Sequence, residues 1–238
     1  MIRFAAWLVF LTSPQFARAA DLARQLGEGR ALALELVALK PAQSVTNSGV
    51  LKIRDAQGKR RELPVTIKTL VTATNWQSQY VWHPTPGQHT TWIIVHPAGG
   101  TNDYTLPNQG PGKMSPSALF SPFAGSDFWL CDLGLEFLHW PEQRLLKTEM
   151  KRGESCRVLE SINPQPAPGA YSRVVSWIDI DSGGIVLANA YGDDGRRLKV
   201  FSPKKFQKVA GRWQVKELEI YNEKTDSRTT LVFDTTAE

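Results

Sequence analysis

His83, His89 and His96 stand six and seven residues apart around one hairpin signal, His83-Pro84-Thr85-Pro86-Gly87. Strands can bring imidazoles together on a zinc ion. This spacing does not force it, and no Asp or Glu lies between Glu62 and Asp103 to complete a ligand set. Asp179-Ile180-Asp181-Ser182-Gly183 has the opening of a calcium loop, but Ala190 occupies the position where the closing acid belongs. Cys131 and Cys156 are the two cysteines. They read either as a disulfide, which an oxidising compartment would allow, or as two small apolar side chains. No G-x-S-x-G, phosphate loop or H-E-x-x-H occurs. These residues point to a binding protein rather than an enzyme. No catalytic residue, metal or cofactor is assigned.

The elements that would position a binding site are mostly strands. From Tyr171 to Phe233, short runs rich in Val, Ile, Trp, Tyr and Phe are separated by Asp181-Ser182-Gly183-Gly184, Asp193-Asp194-Gly195, Gly211 and Glu223-Lys224-Thr225-Asp226. Gly and Asp accept the positive φ of tight turns, so this is an antiparallel meander of about five strands. Upstream, residues 45–54 and 62–72 flank Asp55-Ala56-Gln57-Gly58, and residues 75–82 and 90–95 flank the histidine-bearing turn. Both pairs read as hairpins. Pro97 to Pro122 is rich in Gly, Pro, Asn and Ser and reads as loops with short edge strands.

One amphipathic helix is expected from Asp21 to Leu39, with Leu22, Leu26, Leu32, Leu36 and Leu39 on its apolar side. Asp21 would cap it, Pro41 would end it, and Gly27 and Gly29 would allow a break. A lone helix ahead of sheet suits a position across that sheet, as packing or as a lid.

Residues 1–19 read as a cleavable secretory signal. Arg3 opens it, Phe4 to Leu11 is apolar but shorter than the roughly 20 residues that span a bilayer, and Ala17-Arg18-Ala19 supplies the cut. Residues 20–238 then form one β domain. Removing Arg3 and Arg18 lowers the net charge from +5 to +3, too small an excess to argue for nucleic acid. Lys59-Arg60-Arg61 and Arg196-Arg197 sit beside turns and read as solvated charge.

Large aromatics crowd the second hairpin. Trp76, Trp82, Trp92 and Ile94, with Trp177, Leu218 and Ile220 from the meander, are the expected lining of an apolar cavity. An acyl chain exposed to water costs about 0.8 kcal/mol per CH₂, which such a lining would remove.

Gly125-Ser126-Asp127-Phe128 leads into a helical turn over residues 133–137, and then a strand over residues 144–150. The turn Lys151-Arg152-Gly153-Glu154 leads to residues 156–160. Tyr171-Ser172-Arg173-Val174-Val175, Trp177-Ile178-Asp179, Gly211-Arg212-Trp213 and Thr229-Thr230 follow. This succession resembles the outer-membrane lipoprotein-sorting protein family (LolA-like), and more narrowly its poorly characterised exported branch. The likeness covers residues 115–235; residues 20–114 match in layout, a helix followed by hairpins. The resemblance implies a mainly β (α+β) fold: an incomplete, strongly curved antiparallel β-barrel with helices covering the open side. It further implies a periplasmic carrier of lipids or lipoprotein acyl chains, with transient membrane contact and envelope membrane proteins as partners. The family's functional arginine finds no matching motif around Arg54 or Arg61. The alternative is an envelope sensor or scaffold module that binds a protein and no lipid.

Overall fold

The computed structural model describes residues 14–83, 85, 87–106, 115–209 and 212–234. Most of the expected signal segment lies outside these residues, as do parts of the 83–87 turn and of the 97–122 loop. Helix α1 (Pro14–Val37) is followed by β1 (Val45–Arg54), β2 (Arg60–Val71), β3 (Asn75–Trp82), β4 (Thr90–Pro97) and β5 (Asp103–Thr105). Two 3-10 turns, a short helix α2 (Leu130–Leu133) and a third 3-10 turn (Glu136–His139) come next. Then follow β6 (Glu142–Lys151), β7 (Glu154–Ile162), β8 (Arg173–Asp179), β9 (Ile185–Tyr191), β10 (Arg197–Val209), β11 (Arg212–Asn222) and β12 (Ser227–Asp234).

Among the described residues, twelve strands form one antiparallel sheet in the order β5-β4-β3-β2-β1-β12-β11-β10-β9-β8-β7-β6. The sheet is curved and open, an incomplete barrel of LolA-like form. The five-strand meander is β8 to β12, and both upstream hairpins form where the turn residues place them. Turn chemistry explains this: Gly58 and Gly195 sit at φ +80 and +74, and the Asp55 carboxylate accepts the backbone N–H groups of Gln57 and Lys59.

The inside of the curve is filled by the chain between β5 and β6. Phe123, Phe128 and Leu130 pack with Leu51, Val65, Trp92, Ile94 and Ile220. Cys131, Phe137 and Leu138 pack with Leu159, Tyr171, Val174 and Ile178, and α1 adds Leu32, Ala33 and Leu36 to that cluster. A third cluster of Cys156, Val158, Val175, Trp177 and Leu187 lies on the opposite face of β7 to β9.

Two expectations about α1 are corrected. Asp21 lies within the helix, not at its start, and its carboxylate accepts hydrogen bonds from Arg24 and Gln25. The helix does not break at its glycines. Gly29 sits against the β6 backbone, where an added Cβ would come within 2.6 Å of Arg144. The glycine is there for close approach. Residues 17–24 are exposed and the helix packs from Gly29 onward.

Candidate functional site

The apolar space that remains open is a groove of about 380 Å³ at one mouth of the curved sheet. Its floor is Phe201, Pro203, Val215, Leu218 and Phe233 from β10, β11 and β12. Leu36 and Leu39 from the end of α1 and Leu135 and Leu138 from the inner segment form its walls, and residues 183–185 form the rim. None of these side chains is charged. Its volume falls within the ~300–1,000 Å³ of small-molecule sites. Leu135 reaches it from a left-handed backbone conformation, φ +48. Such strain in a non-glycine residue costs on the order of 1 kcal/mol or more and clusters at sites of function.

Of the seven residues expected to line a cavity, Leu218 faces this groove. Trp82 and Trp92 are covered by Phe123, with ring centroids 4.8 and 5.2 Å away. Ile94 is fully buried, and Ile220 contributes to a smaller cavity beneath. Trp76 stacks on His96 at 3.8 Å near the far end of β3. Trp177 is on the opposite face of the sheet, with Val174 and Ile178 turned inward in its place. There its indole N–H donates to Glu149 and Lys151 lies over its ring. The two cysteines are free thiols in different clusters, Cys131 in the inner segment and Cys156 on the opposite face of β7, so the disulfide alternative is corrected. The sequence reading missed Phe201, Pro203, Val215, Leu135 and Leu138. Leu36 and Leu39 were legible as the apolar side of a lid.

Beneath the groove lies a buried charge. Lys199, 2% exposed, shares its face with Phe201 two residues on, opposite the small side chains of Ala190 and Ala188. Its ammonium donates to the Asp127 carbonyl at 2.6 Å and approaches the Asp132 carboxylate at 3.4 Å. It also sits 3.3 Å from the Trp129 ring centroid. Burial pushes the Lys199 pKa down, against the pull of the Asp132 charge. Asp132 also accepts from the Trp129 backbone N–H and from the Tyr171 hydroxyl. The Asp127 carboxylate is held by Ser227 and Thr229 on β12. These bonds pin the inner segment to the sheet and confine the open space to one mouth.

At the other end of β4, His96 meets Asn102 at 2.8 Å, and Asn102 donates to the Gly134 carbonyl and the Glu136 carboxylate. Tyr104 donates to Glu136 at 2.6 Å. This cluster clips the β4–β5 edge to the inner segment. His83 and His89 are exposed at the opposite end of β4, which over seven residues is roughly 23 Å away. Burial brings the His96 pKa to about 4, burial also lowers His139, and burial raises Glu136.

An unfolded histidine takes its proton near pH 6.5, before the folded His96 and His139 do. Stability therefore falls as pH drops from about 6.5 towards 4. Glu136 acts with the opposite sign: its share is full below the ordinary carboxyl range and is lost as pH rises through its raised value. The urea midpoint should fall between pH 7 and 5, and the slope should shrink in His96→Gln. Because Glu136 opposes the histidines, the variant is the deciding comparison: a pH dependence of the midpoint that is the same in His96→Gln and wild type would contradict the assignment.

Comparison with known proteins agrees with this architecture. A family model described as "Uncharacterized protein" matches residues 107–237, more than half of the chain. No curated protein matches. Among solved structures, a DUF1329 family protein from Desulfovibrio piger is similar with TM-score 0.71 at 20% identity, covering 89% of this chain and 92% of that one. A protein described as an outer membrane lipoprotein-sorting protein domain, from Vibrio parahaemolyticus, has TM-score 0.71 at 19% identity, covering 88% and 92%. A LolA superfamily protein from Nitrosomonas europaea has TM-score 0.58 at 16% identity, covering 89% and 92%.

Proposed function

We propose that this chain, which belongs to the family whose model matches residues 107–237 and is built on the LolA-like fold, is a periplasmic carrier of a single acyl chain. The observation that carries the proposal is the groove over Phe201 and Leu218, closed on its sides by leucines of α1 and the inner segment and free of charged side chains. Its cargo is the acyl chain of a lipid or of a lipoprotein, and it performs no covalent chemistry. Leu36 and Leu39 lie at the last turn of α1 and just past it, so a small shift of that end opens the groove.

Export through a cleaved signal is part of this reading. A cut after Ala19 removes Pro14 to Ala19 from α1 and leaves Gly29, Leu32, Ala33 and Leu36 at their packing positions. Residues 20–238 then act as one lipid-binding domain. Among the described residues no helix is long and apolar enough to cross a membrane.

The test is displacement of a fluorescent acyl probe by saturated fatty acids of increasing length. If no acyl ligand displaces it, the remaining candidate is a sensor or scaffold that binds a protein partner.

A further inference from the structure

We propose that the free end of the β10–β11 ribbon is a docking arm for an anionic bilayer surface. β9 pairs with β10 over residues 197–201, and β12 pairs with β11 over residues 217–222. Beyond those limits β10 and β11 pair with each other alone, as far as Val209 and Arg212. The result is a two-stranded arm standing past the sheet, with register shifts at its base around Lys205.

Two large apolar side chains of the arm are exposed, and both flank a cleft shared with Arg152, Glu154 and Asp179. Phe206 is 54% exposed and Trp213 is 72% exposed. Trp213 sits opposite Lys208 in the pairing, and Phe206 sits opposite Val215. Residues 201–216 contain five basic residues and no acid. At the base of the arm Lys204 and Lys205 pair with Glu219 and Glu217, while Lys208 and Lys216 stand nearer its tip. Lysine on an unpaired edge is a common guard against aggregation. That role does not call for an exposed indole and phenyl ring, which protective lysines would leave as a liability. Aromatic rings among lysines match the interfacial zone of a membrane, where rings lie at headgroup level and ammonium groups meet anionic lipid.

Two neighbouring turns at the same end of the sheet also expose apolar side chains, with the acids Glu154 and Asp181 beside them. Met150, at the β6–β7 hairpin, and Ile180, after β8, are exposed. Arg152 of that hairpin donates to the Pro203 carbonyl, and the Ile180 N–H donates to the Ser155 carbonyl, so the hairpin ends are tied together. Pro203 and Val215, at the root of the arm, belong to the groove floor. Docking through Phe206 and Trp213 therefore brings the groove mouth to the lipid surface. This use of the arm rests on the acyl-carrier reading; its binding to a bilayer does not.

The experiment is flotation of the full mature chain with vesicles of phosphatidylcholine alone or with phosphatidylglycerol added. Flotation with the anionic vesicles is expected, weakened by salt. Phe206→Ala/Trp213→Ala and, separately, Lys208→Glu/Lys216→Glu should each reduce it by roughly tenfold or more, the lysine variant at about fivefold per lost basic contact. Melting temperature and acyl-probe affinity should be unchanged in both variants. A wild-type chain that does not float with anionic vesicles, or a double aromatic variant that floats as well as wild type, overturns the arm. Loss of probe binding with flotation intact would overturn the carrier reading and leave the arm standing.

Discussion

Leu218→Lys is expected to weaken acyl-probe binding by on the order of tenfold or more while leaving the protein folded. Leu218 pairs with Leu231 and Pro203 in the sheet, and its side chain is a half-buried part of the groove floor. A lysine there keeps its stem on the floor and carries an ammonium into the path of the chain. Losing contact with two methylenes forfeits about 1.6 kcal/mol, already more than a factor of ten. Half-burial leaves the ammonium a route to water, so the cost to folding is smaller than for a core position. Phe201→Ala enlarges the same floor without adding charge and should shift preference towards bulkier chains. Unchanged probe affinity in a folded Leu218→Lys variant would remove this groove from consideration.

Lys199→Met should destabilise the fold by about 3–5 kcal/mol in urea unfolding. The buried Asp132 carboxylate would lose its cation and keep the Tyr171 hydroxyl and the Trp129 N–H as partners. The Asp127 carbonyl would lose the Lys199 donor. Lys199→Met/Asp132→Asn removes both charges while preserving an acceptor for Tyr171 and Trp129, and it should recover much of the loss. That pattern, a costly single change and a milder double one, is the signature of a coupled buried pair. Equal stability of Lys199→Met and wild type would show that the inner segment is held by packing alone.

Local chemistry made much of this fold legible. Hairpins at Asp55-Gly58 and Asp193-Gly195 follow from residues that accept positive φ, and the order within β1–β5 and within β6–β12 follows from hairpins laid side by side; the β1–β12 pairing that joins the two runs is long-range and has no local signal. The site was harder because what fills a curved sheet is set by long-range packing. Nothing local to Phe123 or Phe128 says that they cover Trp82, Trp92 and Ile220. The sequence does not say which face Trp177 takes, because β8 is buried on both sides, where a period of two cannot tell inner from outer. Lys199 carried a usable signal: if Phe201 faces inward, alternation puts Lys199 there too. A lysine in a strand is ordinarily read as solvent-facing, and that habit hid it. Gly29 reads locally as a weak point in a helix, whereas its role depends on Arg144, far along the chain.

The most direct test of the carrier account is the affinity of the mature protein for saturated fatty acids of increasing length, read by displacement of a fluorescent acyl probe. Affinity should rise by roughly fourfold per added methylene, from about 0.8 kcal/mol each. The rise should then level off once the chain fills the groove of about 380 Å³. Affinity that does not vary with chain length, or no binding at any length, would contradict it.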